Sequence, residues 1–316
     1  MFGIGPEGRS ALIQLALRRA RQLSRNNPGV IRRLRTLAST RAQRLSLLTA
    51  SALQHATPLP DLGRTVEVET TFARLLLDAD DEVITPALVA TQGWEPGETA
   101  LLGDRIKPAM TVLDVGAHAG YFTCLAARLV GPRGLVVAFE PSPRNYDLLL
   151  ANVWRNGFFN VVCFPWALGS EQGVVDLHTS PTNTGDNRVY PSDRGRSSTS
   201  VRLAALDHVS ALRPPVDIVK VDVQGAEEAV IRGMTGLLSA SPAVLVTGEF
   251  WPAGLRRFGS DPIGLLDLCR SLGFSIAVQF PDDKGVRALS DEEILAFCAA
   301  GDGEGHVNLV LERKQT

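Results

Sequence analysis

Glu140 is a single carboxylate at the end of an apolar run, Val136-Val-Ala-Phe139, and the turn Gly116-Ala-His-Ala-Gly120 precedes it in the chain. A carboxylate so placed can accept two hydrogen bonds from a ribose diol. Glycines let a backbone approach a ligand closely. Asp114, just ahead of the turn, suits a cationic amino-acid group better than a diphosphate. The turn also lacks the middle glycine of G-x-G-x-x-G, the fingerprint in which a pyrophosphate sits on a helix N-terminus. These residues read as a nucleoside pocket for S-adenosylmethionine rather than NAD. An NAD-binding oxidoreductase would require the missing glycine. The plain alternative is an ordinary βα turn followed by a surface glutamate.

Two more carboxylates, Asp222 and Glu249, fall at or just beyond the ends of later apolar runs. Methyl transfer from a sulfonium is an in-line displacement, so an enzyme mainly aligns the acceptor and removes a proton. An alcohol needs a base, whereas a neutral amine needs only positioning. Asp222 and Glu249 could serve as base, as an anchor for an amine or, with a third oxygen ligand, as a divalent-metal site; no metal is predicted. Asp222 could instead cap a helix beginning near Gly225, and Glu249 could be a surface strand end. Glu227 suits a first helical turn through the helix dipole alone. The polar loop Thr184-Gly-Asp-Asn-Arg188 offers Asp186, Asn187 and Arg188 for acceptor recognition, because loops on a rigid sheet carry selectivity. Phe250, Trp251 and Phe258 are candidate walls of an acceptor pocket. His118 reads as a lining residue, with proton transfer as the sharper alternative. His178, His208 and His306 read as structural.

These residues need a sheet to position them. Residues 111–115 form a first buried strand, followed by a helix over 120–130 and a second strand over 135–139. A helix after Pro143 and a strand over 160–165 continue the alternation. Residues 169–200 break it, with a hairpin strand expected at 174–178. Strands over 216–222, 243–246, 274–280 and 306–311 follow, with helices over 225–238 and 262–272. An insertion over 282–305 carries a short helix. In a βαβ unit such strand ends lie side by side at the carboxyl edge, where open α/β sheets bind ligands. The fold class is α/β: a Rossmann-like, doubly wound seven-stranded sheet with a late antiparallel hairpin, plus an N-terminal helical arm. Ahead of it, 66–77 reads as strand structure, and Gly93-Trp-Glu-Pro-Gly-Glu-Thr99 as a turn opening a helix.

A length of 316 residues with 45% hydrophobic content suffices for one large domain and a smaller attached element. The division expected is a basic helical arm over 1–60 and a catalytic domain over 61–316. The formal net charge of −2 hides an asymmetry, because residues 1–50 hold ten arginines against one acid, Glu7. Such an arm has no lysine and no interleaved aromatics, so a stacking nucleic-acid surface is poorly supported. Ile31, Leu34, Ala38, Ala42, Leu45, Leu48 and Ala52 recur at helical spacing, an apolar stripe that must be buried. It is expected to pack on its own domain or on a second copy in a homo-oligomer, with cover of the substrate site as the alternative and a membrane or nucleic-acid role as a third. Cys124, Cys163, Cys269 and Cys298 lack metal-ligand spacing and read as reduced thiols. The apolar run 11–17 is too short to span a membrane. A soluble cytoplasmic protein with a small-molecule acceptor, and neither nucleic-acid nor membrane partner, is the expectation.

In chain order, Gly93-Trp-Glu-Pro-Gly-Glu-Thr, Val112-Leu-Asp-Val-Gly-Ala-His-Ala-Gly-Tyr-Phe-Thr, Ala138-Phe-Glu-Pro-Ser-Pro, Trp166-Ala-Leu-Gly and Val219-Lys-Val-Asp-Val-Gln-Gly-Ala-Glu227 resemble the FkbM family of S-adenosylmethionine-dependent methyltransferases, over roughly 65–312. The strand-1 motif alone would say only class I methyltransferase; the Asp222 to Glu227 element is the more specific. The resemblance implies O-methylation of a hydroxyl, often on a sugar or secondary metabolite. It implies that Asp114, Gly116, Ala117, His118 and Gly120 hold the methionine moiety, that Glu140 binds the ribose, and that Ala167 borders the adenine. Trp94, Glu95 and Thr99 would cover the cofactor. The family's usual acid before the last glycine is replaced here by Gln224, and the arginine-rich arm lies outside the family pattern. N-methylation of an amino sugar or other small amine is the alternative, since two cleft carboxylates would also anchor an ammonium. A cofactor-binding scaffold without turnover is a third.

Overall fold

In the computed structural model, the described residues are Leu47, Ala50, Ser51, Gln54, 61–191, 195–209, Leu212, 215–280, 285–300 and 302–313. The arm expected over 1–60 therefore lies outside them, apart from its four helical positions at 47, 50, 51 and 54. No helix among the described residues is long and apolar enough to cross a membrane.

The strands in chain order are β1 (Thr65–Glu69), β2 (Arg74–Asp78), β3 (Thr111–Val115), β4 (Leu135–Phe139), β5 (Val161–Phe164), β6 (Trp166–Leu168) and β7 (Gly173–Thr179). There follow β8 (Ser197–Ala204), β9 (Ile218–Val221), β10 (Leu245–Phe250), β11 (Phe274–Gln279), β12 (Val286–Arg287) and β13 (Val307–Arg313). The main sheet runs β12-β11-β13-β10-β9-β3-β4-β5. Its strands β10, β9, β3, β4 and β5 are parallel, and β13 pairs antiparallel with both β10 and β11. This is the expected doubly wound sheet with its late hairpin, extended to eight strands by the two-residue edge β12. Strands β3, β4 and β9 are almost wholly apolar and buried, as parallel strands covered on both faces must be.

Three elements differ from the sequence reading. The helix expected over 225–238 is two, Glu227–Arg232 and Thr235–Ser239. At the break a Cβ on Gly233 would lie 1.9 Å from the Gly169 carbonyl oxygen, and Asp207 accepts from the N–H groups of Gly236 and Leu237 to start the second helix. Strand β10 runs on to Phe250, because Glu249 and Phe250 still pair with Asn308 and Val307 of β13. The irregular stretch after residue 169 is a separate three-stranded sheet, β6-β8-β7. Its strand β8 is polar and exposed over its first four residues, so it lacks the apolar alternation by which a strand is read.

Gly116 explains how the first motif reaches the last. Its φ is 83°, and a Cβ there would sit 1.8 Å from the Asp222 carbonyl oxygen. Its freedom thus serves backbone packing of the turn on the end of β9 as much as any ligand. Asn152 clamps β2 to the helix Pro143–Arg155 through both backbone groups of Leu76, and also donates to the Ala119 carbonyl in the same turn. Gln54 likewise exchanges hydrogen bonds with the backbone of Cys163 in the edge strand β5, and Ser51 donates to the Phe159 carbonyl.

Candidate active site

The carboxyl ends of β3, β4, β9 and β10 open into a cavity of about 430 Å³. At its centre is the turn after β3. Glu140, one residue beyond β4, accepts from the His118 N–H at 2.8 Å and the Ser142 N–H at 2.9 Å, one on each oxygen. The carboxylate therefore holds the turn and keeps lone pairs for a ligand. Burial pushes its pKa up to about 7, against those hydrogen bonds.

His118 occupies left-handed backbone, φ 51°, and its side chain reaches the loop between β7 and β8. Its Nε2 lies 2.8 Å from Thr184 Oγ1, and that hydroxyl donates to Asp81 Oδ2 at 2.6 Å. The hydroxyl proton is spent on Asp81, so Thr184 can only accept from His118. This fixes the Nε2–H tautomer. Burial lowers the His118 pKa to about 4, leaving a neutral ring. Thr184 also binds Asp81 through its N–H, and its carbonyl accepts from Asn145 and Asn187. The loop is thereby strapped over the cavity.

The other wall is electrostatic. Lys220, buried within β9, lies 3.0 Å from Asp222 Oδ2 and 3.6 Å from Glu98 Oε2, with its ammonium over the Phe122 ring at 4.6 Å. Burial opposes its charge, but Asp222, Glu98, Glu95 and Asp114 outweigh burial and hold the ammonium well above its ordinary value. Burial likewise opposes ionisation of Asp222, yet Lys220 and Gln224 hold that carboxyl below its usual value. Gln224 Nε2 donates to Asp222 Oδ1 at 2.9 Å and to Glu249 Oε2 at 3.2 Å. Glu249 is held well above the usual carboxylate range by burial, and then by Asp222, Glu227 and Glu95.

Of the residues singled out in the sequence, Trp94, Glu95, Gly116, Ala117, His118, Glu140, Ala167, Asn187, Asp222 and Glu249 line the cavity. Others do not. Asp114 lies beneath the turn, accepting from Thr123 Oγ1, and its second oxygen is buried without a partner. Thr99 donates to the Trp94 carbonyl, and Gly120 serves as the N-cap of the helix Tyr121–Val130. Asp186 is taken up by Arg188 and Arg196. The Arg188 guanidinium lies 4.9 Å from the centre of the Trp251 ring. Phe250 is wholly buried, because successive strand side chains face opposite ways and Glu249 takes the cavity side. These two aromatics, like Asp186 and Arg188, support the wall from behind.

Asp222 does not cap the following helix; Glu227 ties that turn by accepting from the Val223 and Gly225 N–H groups. His306, read as structural, lines the cavity 3.9 Å from Glu249. Lys220, Gln224 and Thr184 also line it and were missed. Lys220 carried a legible signal, a charge inside an apolar strand. Thr184 carried only its place in the polar loop and His306 carried none, since distant contacts bring both here. Among the described residues, no group of three or more His, Cys, Asp or Glu is placed to hold a metal ion.

The donor set fits S-adenosylmethionine. Glu140 can take a ribose diol, Trp166 and Ala167 border an apolar end, and Asp222, flanked by the acidic side chains of Glu95 and Glu249, favours the cationic end. Comparison with known proteins agrees. The methyltransferase FkbM domain model matches residues 114–276, just over half of the chain. Methyltransferase 1 of Beauveria bassiana is 26% identical over 199 residues, covering 54% of this chain and 74% of its own length. Hexuronic acid methyltransferase AglP of Haloferax volcanii is 32% identical over 135 residues, covering 42% of this chain and 53% of its own. Methyltransferase sdnD of Sordaria araneosa is 26% identical over 177 residues, 46% of this chain and 68% of its own. The chain thus spans about half of the haloarchaeal relative's length and roughly two thirds to three quarters of the fungal ones. It belongs to the FkbM family of S-adenosylmethionine-dependent methyltransferases.

Proposed function

We propose that this enzyme methylates a hydroxyl oxygen of a small, uncharged acceptor of sugar or secondary-metabolite type. S-adenosylmethionine supplies an electrophilic methyl group when bound. The observation that carries the reading is Asp222 at the cavity wall, with the Lys220 ammonium 3.0 Å from one oxygen and the Gln224 amide donating to the other at 2.9 Å, contacts that favour its ionised form. An ionised carboxylate can accept the acceptor's O–H proton as oxygen attacks. Glu140 orients the ribose end, and the Thr184 strap forms one wall of the cavity. The name of the haloarchaeal relative specifies a hexuronic acid, which supports a carbohydrate-like acceptor. An anionic acceptor is disfavoured here, because Lys220, the one Lys or Arg among the described residues that line the cavity, is committed to Asp222 and Glu98.

The same acidic wall favours a second reading, N-methylation of an amino sugar or other small amine. Incubation with methyl-labelled S-adenosylmethionine and a panel of neutral sugars, uronates and amino sugars separates the two, with NMR locating the methyl group. Label on oxygen of a neutral acceptor is expected. Label confined to nitrogen would overturn the hydroxyl assignment, and label confined to uronates would overturn the uncharged acceptor. The four free, buried cysteines support a reducing compartment, the cytoplasm. For the basic arm, the reading is an intersubunit or lid contact rather than contact with nucleic acid or membrane.

A further inference from the structure

Two carboxylates share one amide donor at the cavity wall, and their surroundings differ. Gln224 holds left-handed backbone, φ 55°, uncommon for a residue with a side chain. That conformation places its Nε2 between Asp222 Oδ1 and Glu249 Oε2. Behind Asp222 stands the Lys220 ammonium at 3.0 Å. The groups facing Glu249 are Asp222 and Lys220 from β9, Glu227 from the following helix and Glu95 ahead of the helix Pro96–Arg105. His306 ahead of β13 and Cys298 of the helix Asp291–Ala299 complete the set. Three of these are acids, and the cation is committed to Asp222. Burial holds His306 below its ordinary value, so it approaches Glu249 as a neutral ring. The amide donor favours both ionised forms, but two buried carboxylates within reach of one amide, with Glu227 and Glu95 beside them, resist ionising together, and they titrate as a pair.

We propose that the Gln224-bridged pair Asp222–Glu249 carries one proton in the free site, releases it when a sulfonium enters the cavity, and recovers one from the acceptor hydroxyl during transfer. The proposal rests on reading the cavity as an S-adenosylmethionine site acting on a hydroxyl. A positive charge beside the pair favours its doubly ionised form. In the transfer, the sulfur–methyl bond breaks with its electron pair left on sulfur, and the oxygen–methyl bond forms. The O–H proton passes to the pair. The sulfur is then a neutral thioether, and the pair is singly protonated again. Charge in the cavity is thus matched before and after the reaction, and the released proton has a defined acceptor. Gln224 acts here as a positioning residue.

The test is calorimetric titration of the full chain with S-adenosylmethionine and with S-adenosylhomocysteine, each at pH 7 in buffers of low and high ionisation enthalpy. The two ligands share adenine, ribose and amino-acid ends, so Glu140 contributes alike to both, and they differ at the sulfonium. S-adenosylmethionine is expected to release about one proton more than S-adenosylhomocysteine. The difference should vanish in Glu249→Gln and persist in Glu227→Gln. Infrared difference spectra should show a protonated carboxyl band lost on S-adenosylmethionine binding, and no such loss in Glu249→Gln. Equal proton counts for both ligands in the unaltered chain overturn the proposal while leaving the cofactor site standing. A difference that survives in Glu249→Gln overturns it as well. Binding of neither ligand overturns the reading of the cavity itself.

Discussion

Glu140 has two duties at once, and its substitutions should separate from those of Asp222. Because it supports the His118 turn as well as facing the cavity, Glu140→Ala is expected to weaken S-adenosylhomocysteine binding by about 1.5–3 kcal/mol, the scale for hydrogen bonds to a charged group. Calorimetry with unchanged affinity would remove Glu140 from the site. Asp222→Asn should leave affinity for S-adenosylhomocysteine, which lacks the sulfonium charge, little altered and lower turnover by about 10²–10⁴, the range for loss of a general base. Full turnover in that variant would mean Asp222 carries no chemistry. Glu227 gives a stability test with a definite sign. Its pKa is pushed from 4.5 to about 7 by burial, so the native state binds the extra proton. The stability it contributes is fully present below pH 4.5 and is lost as pH rises through 7. Glu227→Gln should match the unaltered protein's melting temperature near pH 4.5 and gain on it steadily toward pH 7.5. A constant offset across that range would contradict the assignment.

At the scale of elements, the loop between β7 and β8 is fastened by Thr184, whose partners Asp81, His118 and Asn145 come from three distant segments. Asp81 also accepts from the Val83 and Thr85 N–H groups, so the strap and the helix Ile84–Thr91 share one anchor. Thr184→Val removes the hydroxyl and keeps the shape. It is expected to raise amide exchange over 180–191 and to speed cofactor dissociation by about tenfold, roughly the loss of one charge-assisted hydrogen bond. Unchanged exchange would show that the loop is held by other contacts. The loop composition was legible as polar and functional, and Asn187 does line the cavity. Its neighbours Asp186 and Arg188 pair with each other, a contact that composition alone does not distinguish from ligand recognition.

For the whole molecule, Gly116 is where the cofactor turn and the end of β9 meet. Gly116→Ala would force a Cβ against the Asp222 carbonyl in a backbone conformation that side chains rarely adopt. A loss of about 3 kcal/mol or more is expected, the class of strain plus overpacking. Urea unfolding that shows less than 1 kcal/mol (about one weak contact) would contradict that role. The arginine-rich arm is tested by its removal. A chain starting after residue 46 keeps Ser51 and Gln54 on the β5 edge. If the arm mediates self-association, that chain should show a lower oligomeric mass by light scattering with cofactor affinity retained. An unchanged mass with lost RNA or DNA affinity would contradict it.

The sequence by itself determined the doubly wound βαβ core and the carboxylates at its strand ends. Apolar runs that end in a charge are local patterns, and the right-handed βαβ rule then brings their ends together. That is why Glu140, Asp222 and Glu249 could be placed at one sheet edge before any coordinates. The tertiary structure decided the rest. It turned Phe250 and Trp251 away from the cavity, split the helix at Gly233, set Asp114 beneath the turn and brought His306 and Thr184 to the rim. It also made Gln224 the bridge between two acids. Each of these depends on which distant backbone or side chain comes within hydrogen-bond or van der Waals reach. Local propensity does not encode such contacts, because the partners are neighbours in space and not along the chain.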